Sequence, residues 1–282
     1  MIPRAAAGRK VTDRLVMVVS ACAALLGILA LAWILLVVLQ KGAAAINWEF
    51  FFHRTLPTGA PDGGVGNAIL GSALLVALAV VIGVPIGLMV GVYLAEFGRD
   101  TRLGTAVRFS ANVMMGIPSI IVGLFVYTLL VMPMHTYSGW AGAVALAILM
   151  LPVIARTTED MLQLVPNTLR ESALALGASR RKVTFQIVFR AAKVGLLTGV
   201  LLAIARISGE TAPLLFTALN SPYWPTTLNS SVANLPVTIF NYALSPYEDW
   251  VRIAWGASLL ITAGVLALNI SSRIILRRGS HE

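Results

Sequence analysis

Cysteine occurs once in the 282 residues, as Cys22 within an apolar run, which excludes an internal disulfide and a cysteine zinc cluster. The three histidines, His53, His135 and His281, are too scattered for ligand spacing, and no metal site is expected. Charge is scarce: 12% of residues are Asp, Glu, Lys or Arg against 58% hydrophobic, outside soluble composition and inside membrane composition. A net charge of +9 would suggest nucleic acid in a soluble chain, but here the charges flank apolar runs and no nucleic-acid partner is expected. No Gly-x-x-x-x-Gly-Lys-Ser/Thr is present, so the chain has no phosphate cradle of its own for ATP. A catalytic set is missing as well, since Ser119 and His135 lack companions.

What the chain has is long apolar runs. A spanning helix needs roughly 20 apolar residues. Six candidates meet or approach that length: Leu15–Leu39, Ile69–Leu94, Val113–Met132, Ala141–Ala155, Val194–Leu219 and Ile253–Ser272. The first follows Arg4, Arg9, Lys10 and Arg14 as a signal peptide would. Its run of about 25 residues exceeds the roughly 7–15 of a signal core, so it reads as a retained helix. With the N-terminus inside, the inside segments collect Arg99, Arg102 and Arg108, seven Lys/Arg between spans four and five, then Arg273, Arg277 and Arg278. Outside fall only Lys41, Arg54 and Arg252, and Asn220–Trp250 has no Lys or Arg at all. That asymmetry places both termini in the cytoplasm. The expected fold is an all-α integral membrane protein of six transmembrane helices. It divides into a cytoplasmic tail (1–14), a first helix with an external loop (15–67), a five-helix core (68–272) and a second tail (273–282).

Two outside loops have substance. Gly42–Asn67 carries Trp48, Phe50, Phe51 and Phe52, read as an interfacial aromatic belt. Asn220–Trp250, with Pro222, Pro225, Pro236 and Pro246, is too broken to span and is expected to form a short external helix or gate-like loop. Within the membrane, Gly83, Gly87 and Gly91 share one face of the second span and allow close helix approach, more simply within the bundle than between copies. Pro85 and Pro118 should kink their spans, and Pro213 should interrupt the fifth.

Two stretches carry the functional signal. The segment 156–193 is the soluble-looking loop of the chain. Thr168 and Glu171 stand at capping-box spacing, Leu169, Ala173 and Leu176 form one stripe, Gly177 suits a left-handed helix end, and Ser179 can cap the helix that continues through Phe185 and Phe189. A short helix on the membrane surface is expected. The second stretch holds Arg206 and Glu210 inside the fifth span. A charge there costs roughly 2.5–3.5 kcal/mol on insertion scales and marks a substrate or ion path by default. At i, i+4 the two could pair, and Ser208, Gly209 and Thr211 add small or polar atoms beside them. A guanidinium suits a tetrahedral oxyanion, because its planar fork donates two parallel hydrogen bonds. Arg206 alone leaves phosphate, sulfate, molybdate and phosphonate open. An ion-coupled secondary transporter would need inverted repeats of three spans, which are not visible.

Glu171-x-Ala173-x-x-x-Gly177 resembles the EAA loop of ABC-importer permeases, although Phe189-Arg190 stand where that family has Leu-Pro. The stretches 63–72, 116–125, 205–213 and 235–243 resemble the A-type permease subunits of bacterial high-affinity phosphate importers. The resemblance implies an ABC type I importer permease of the bacterial inner membrane. It further implies a heterodimer with a sister permease, two cytoplasmic ATPase subunits that hold ATP and Mg2+, and an external phosphate-binding protein. Arg206 and Glu210, with Ser208 and Thr211, would lie by the substrate path. Arg170, Glu171, Ala173 and Gly177 would couple the chain to the ATPase.

Overall fold

An apolar segment in hydrocarbon must satisfy its backbone internally, and helices do so within one segment. The computed structural model describes residues 4–59 and 63–279, and every regular element among them is helical. Helix α1 is Arg4–Ala43 and α2 is the short Trp48–Phe52. α3, Gly66–Phe97, ends in a π-helical turn over Tyr93–Phe97. α4 is Arg102–Gly116 and α5 is Ser119–Met134. α6 is Gly139–Gln163 and α7 is Asn167–Ala175. α8 is Arg180–Ile207, with a π-helical turn over Val183–Val188. α9 is Ala212–Thr217, α10 is Leu235–Ala243 and α11 is Glu248–Gly279. The side chains of Arg4, Arg9, Arg277 and Arg278, the turn residues 60–62 and His281 lie outside what is described.

α6 is the central element. Of its most apolar window 67% is buried in the protein, against 0% for α1. Ser138 starts α6 by accepting the Ala141 amide at 3.1 Å. The core gathers Leu146, Met150 and Ile154 of α6 with Leu75, Ile207 and Leu214. The glycine face of α3 packs on it one turn at a time: Gly83 against Met150, Gly87 against Ile154, Gly91 against Thr158. The within-bundle role expected of these glycines is what the fold shows.

Among the described residues five helices are long and apolar enough to span, or six if the bent pair α4–α5 counts as one. That pair corrects the third expected span. Val113–Gly116 belong to α4, which meets α5 at 104°. Pro118 is the cause: it holds Ile117 in extended backbone, φ −73° and ψ 132°, which no helix can carry through. Pro85, by contrast, sits inside an uninterrupted helix. The fourth span is longer than Ala141–Ala155, because α6 continues through the polar residues Arg156–Gln163. The fifth is displaced towards the N-terminus. α8 begins at Arg180 and stops at Ile207, so much of the expected loop 156–193 is helix end. Pro213 does not interrupt a helix; it sits in the first turn of α9, where a missing N–H costs nothing.

One end of the bundle is closed by a polar knot. Asn67, fully buried, donates from Nδ2 to Thr55 Oγ1 (3.0 Å) and Ser221 O (3.1 Å), and accepts the Thr55 amide (3.1 Å). The short helix expected within residues 220–250 is α10, capped by Asn234. Its Tyr242 stacks on Trp250 at 4.5 Å. Burial pushes the Tyr242 phenol above its usual pKa, while a hydrogen bond with Thr55 draws it down. Of the four aromatics in α2, Trp48 and Phe52 are exposed as a belt requires, but Phe50 is buried and plugs the core beside Gly256.

Gly87→Val should lower the unfolding midpoint in detergent, at a cost of about 1–3 kcal/mol, because the new side chain meets the branched Ile154 and cannot push it aside. Gly83→Ala should lower it less, since flexible Met150 is what a Cβ meets there.

Candidate functional site

Arg206 lies in the last turn of α8 and is exposed, between the buried Ala205 and Ile207. Ser208 donates to Ile204 O at 2.7 Å, and the chain then leaves the helix. The Gly209 and Glu210 amides bond back to Arg206 O (3.4 Å) and Ile207 O (3.2 Å) in a turn. Thr211 precedes α9, so Ser208–Thr211 form a break between two helices. The i, i+4 pair that Arg206 and Glu210 could make does not form, because it needs continuous helix and the helix has ended before Glu210. Among the described residues neither side chain has an ion pair. α5 lies against the far side of the break: a Cβ added at Gly123 would stand 2.6 Å from Pro213 Cα, so only glycine permits this approach.

The second cluster surrounds α7. Ala173 is buried against α8, seating the helix, while Glu171, Leu169 and Leu176 are exposed. An apolar and acidic face is thus left uncovered by this chain. The capping box is absent: α7 begins at Asn167 after Pro166, and no side chain caps it. Its end is as expected. Gly177 has φ +81°, its amide bonds to Leu174 O at 2.9 Å, and the Ala178 amide reaches Ala173 O at 3.1 Å, a Schellman closure. Ser179 caps the start of α8.

Arg170 points inward. Nη2 donates to Glu96 Oε1 (3.0 Å) and Leu162 O (2.7 Å), and Nη1 to Val165 O (2.7 Å) and Asn167 Oδ1 (3.2 Å). It fastens α7 to the end of α3. Beside it lies a charge cluster that sequence reasoning missed. Glu159 of α6 is 1% exposed and accepts from Arg108 Nε at 2.6 Å, Arg156 Nη1 at 2.8 Å and Gln163 Nε2 at 3.1 Å. Arg156, Glu159 and Gln163 stand at helical spacing within the sequence, a signal that could have been read. Arg108, from α4, could not.

The fold is that of transporter permeases. The described chain superposes on a chain of the MetNI methionine ABC transporter, inward facing, with a TM-score of 0.60 at 19% identity, covering 76% of this chain and 93% of that one. A chain of an amino acid ABC transporter crystallised with histidines gives 0.55 at 17% identity, covering 76% and 92%. Residues 83–278 match the model of binding-protein-dependent transport system inner membrane components, and the chain belongs to that family. Among its relatives is the phosphate transport system permease protein PstA of Yersinia pestis, 48% identical over 98% of this chain and 93% of that protein. The protein of the same name from Haemophilus influenzae is 48% identical over 95% of each. A probable phosphate transport system permease protein PstA of Methanocaldococcus jannaschii is 37% identical over 95% of each. The chain is a multi-pass inner-membrane transport subunit.

Gly177→Ala should destabilise the end of α7 by about 1–2 kcal/mol, a purely backbone effect, because a Cβ there meets nothing within 4 Å. Faster amide hydrogen exchange at residues 177–179 would report it, and Gly177→Asn should show a smaller change.

Proposed function

We propose that this chain is one of two membrane subunits of an ATP-driven importer of inorganic phosphate. What supports the reading is Arg206, a guanidinium at a helix break with no ion pair among the described residues, in a chain closely related to phosphate transport permeases. A sister permease covers the face that exposes Arg206, and the substrate passes between the two. The guanidinium donates to phosphate oxygens, as a planar fork does to a tetrahedral oxyanion. Glu210 sits in the same turn, where a carboxylate repels a second anion.

Both termini and α7 face the cytoplasm, and α4–α5 count as one bent span, in keeping with the Lys/Arg distribution. Two ATPase subunits hold ATP and Mg2+ and dock on the open face of α7 around Glu171. An external binding protein delivers phosphate to the opposite side. Movement of the docked ATPase pushes α7 and alters the break at Ser208–Thr211.

Reconstituted with its sister permease and ATPase subunits, the complex should hydrolyse ATP faster when a loaded binding protein supplies phosphate, and not sulfate or molybdate. Stimulation by another oxyanion would discard phosphate, and no associated ATPase would discard the reading. Arg206→Gln should leave assembly intact and lower uptake by roughly tenfold to a hundredfold, the equivalent of the ~1.5–3 kcal/mol of a hydrogen bond to a charged group.

A further inference from the structure

Between α7 and the break at Ser208–Thr211 runs an unbroken series of short contacts. Arg170 reaches from α7 to Glu96 in the π-helical end of α3, 3.0 Å away. Arg108 of α4 grips the same stretch from its other side. Its Nη2 donates to Leu94 O at 3.0 Å, and its Nη1 to Gly98 O at 3.2 Å and Arg99 O at 3.3 Å. Its Nε donates to Glu159 at 2.6 Å, which pins the same guanidinium to the central helix. α4 then leads from Arg108 to the elbow at Ile117–Pro118. Beyond the elbow, Gly123 of α5 lies directly on the backbone of Pro213. Pro213 opens α9, immediately after the break that holds Arg206 and Glu210.

A planar guanidinium with acceptors in three elements is stiff, because turning it breaks several charge-assisted bonds together. The Gly123–Pro213 contact is backbone on backbone at its closest and cannot slip past a side chain. The elbow is the one non-helical joint between them. Coupling between distant sites travels through packed elements of this kind when one joint has two arrangements.

We propose that Arg108 and Glu159 are positioning residues of a relay that carries movement of α7, through the end of α3 and the α4–α5 elbow, to the break at Arg206. Neither touches the substrate or the ATPase. Glu159 holds the Arg108 fork in register, so that a displacement of the α3 end is passed to α4. The relay rests on the transport reading, but not on which anion is carried.

The test uses the full reconstituted complex, with Gly209→Cys as a probe in a Cys22→Ser background and a water-soluble maleimide as reagent. In the complex without relay substitutions, labelling at position 209 should differ at least about fivefold between ATP-bound and nucleotide-free states, the lower end of allosteric couplings. Glu159→Gln keeps the side-chain shape and an acceptor oxygen, and should assemble. Arg108→Lys keeps a cation but loses the fork. In both, ATP hydrolysis should persist while the nucleotide dependence of labelling collapses and phosphate taken up per ATP falls by about fivefold or more. Labelling that still follows ATP in assembled variants would overturn the relay. So would hydrolysis and labelling response failing together, or no response to ATP before either relay residue is changed. If Glu159→Gln fails to assemble, Arg108→Lys decides alone. In the complex without relay substitutions, absent phosphate uptake with an intact labelling response would remove the substrate assignment, and the relay would stand if that response still collapsed in the variants.

Discussion

A carboxylate buried in an apolar bundle is tolerated only if its charge is met, since an ion moved out of water loses several kcal/mol of solvation. Glu159 is that carboxylate, and meeting its charge fixes one end of the molecule. Arg156 and Gln163 come from its own helix, but Arg108 has to come from elsewhere, and α4 is held against α6 for that reason. Once there, Arg108 also takes the carbonyls of Leu94, Gly98 and Arg99, which orders the connection between α3 and α4. The residue beside Glu159, Thr158, receives Gly91 of α3. A single desolvated charge therefore sets the register of three helices. Such a pair is weak evidence for added stability, and its consequence here is specificity of arrangement.

The rest of the bundle is held differently. Lipid tails are as apolar as leucine, so no hydrophobic force drives one membrane helix onto another, and close backbone approach takes its place. Gly83, Gly87 and Gly91 on α3 supply it along α6, and Gly123 supplies it where α5 meets Pro213. Several hydroxyls along the helices are satisfied locally. Thr157, Thr198, Ser208, Thr217, Ser258 and Thr262 each donate to the carbonyl four residues before them. Those hydroxyls ask nothing of a neighbouring helix, which leaves the helix faces free to be smooth and close.

Much of this was legible in the sequence, and the failures share a cause. Apolar runs located the spanning material, the glycine period placed the α3 face, and Gly177 announced a left-handed helix end. Hydropathy counts apolar residues but not the direction of the chain, so it drew Val113–Met132 straight through the 104° elbow. The Ile-Pro pair at 117–118 was the local signal that should have outranked it. The same counting carried the fifth span across Ser208–Thr211 and with it the supposed pair of Arg206 and Glu210. Thr168 and Glu171 matched a capping box, yet Pro166 set the helix start first. Glu159 was hidden for another reason. Its main partner lies in a different element, and a contact between distant segments leaves no pattern in either.

Arg108 and Arg206 show how environment assigns a role to one residue type. Arg108 spends four of its five N–H donors on Glu159 and three carbonyls, so little remains to offer a ligand. Arg206 has the same fork and the same permanent charge, but the helix ends beneath it and carries Glu210 out of reach. Had the helix run on for one more turn, the two would have faced each other at i, i+4 and the guanidinium would have been satisfied within its own chain. The break at Ser208–Thr211 is thus what keeps Arg206 open. An exposed arginine fork with no ion pair among the described residues keeps its donors for an anion, which it can grip with two parallel bonds.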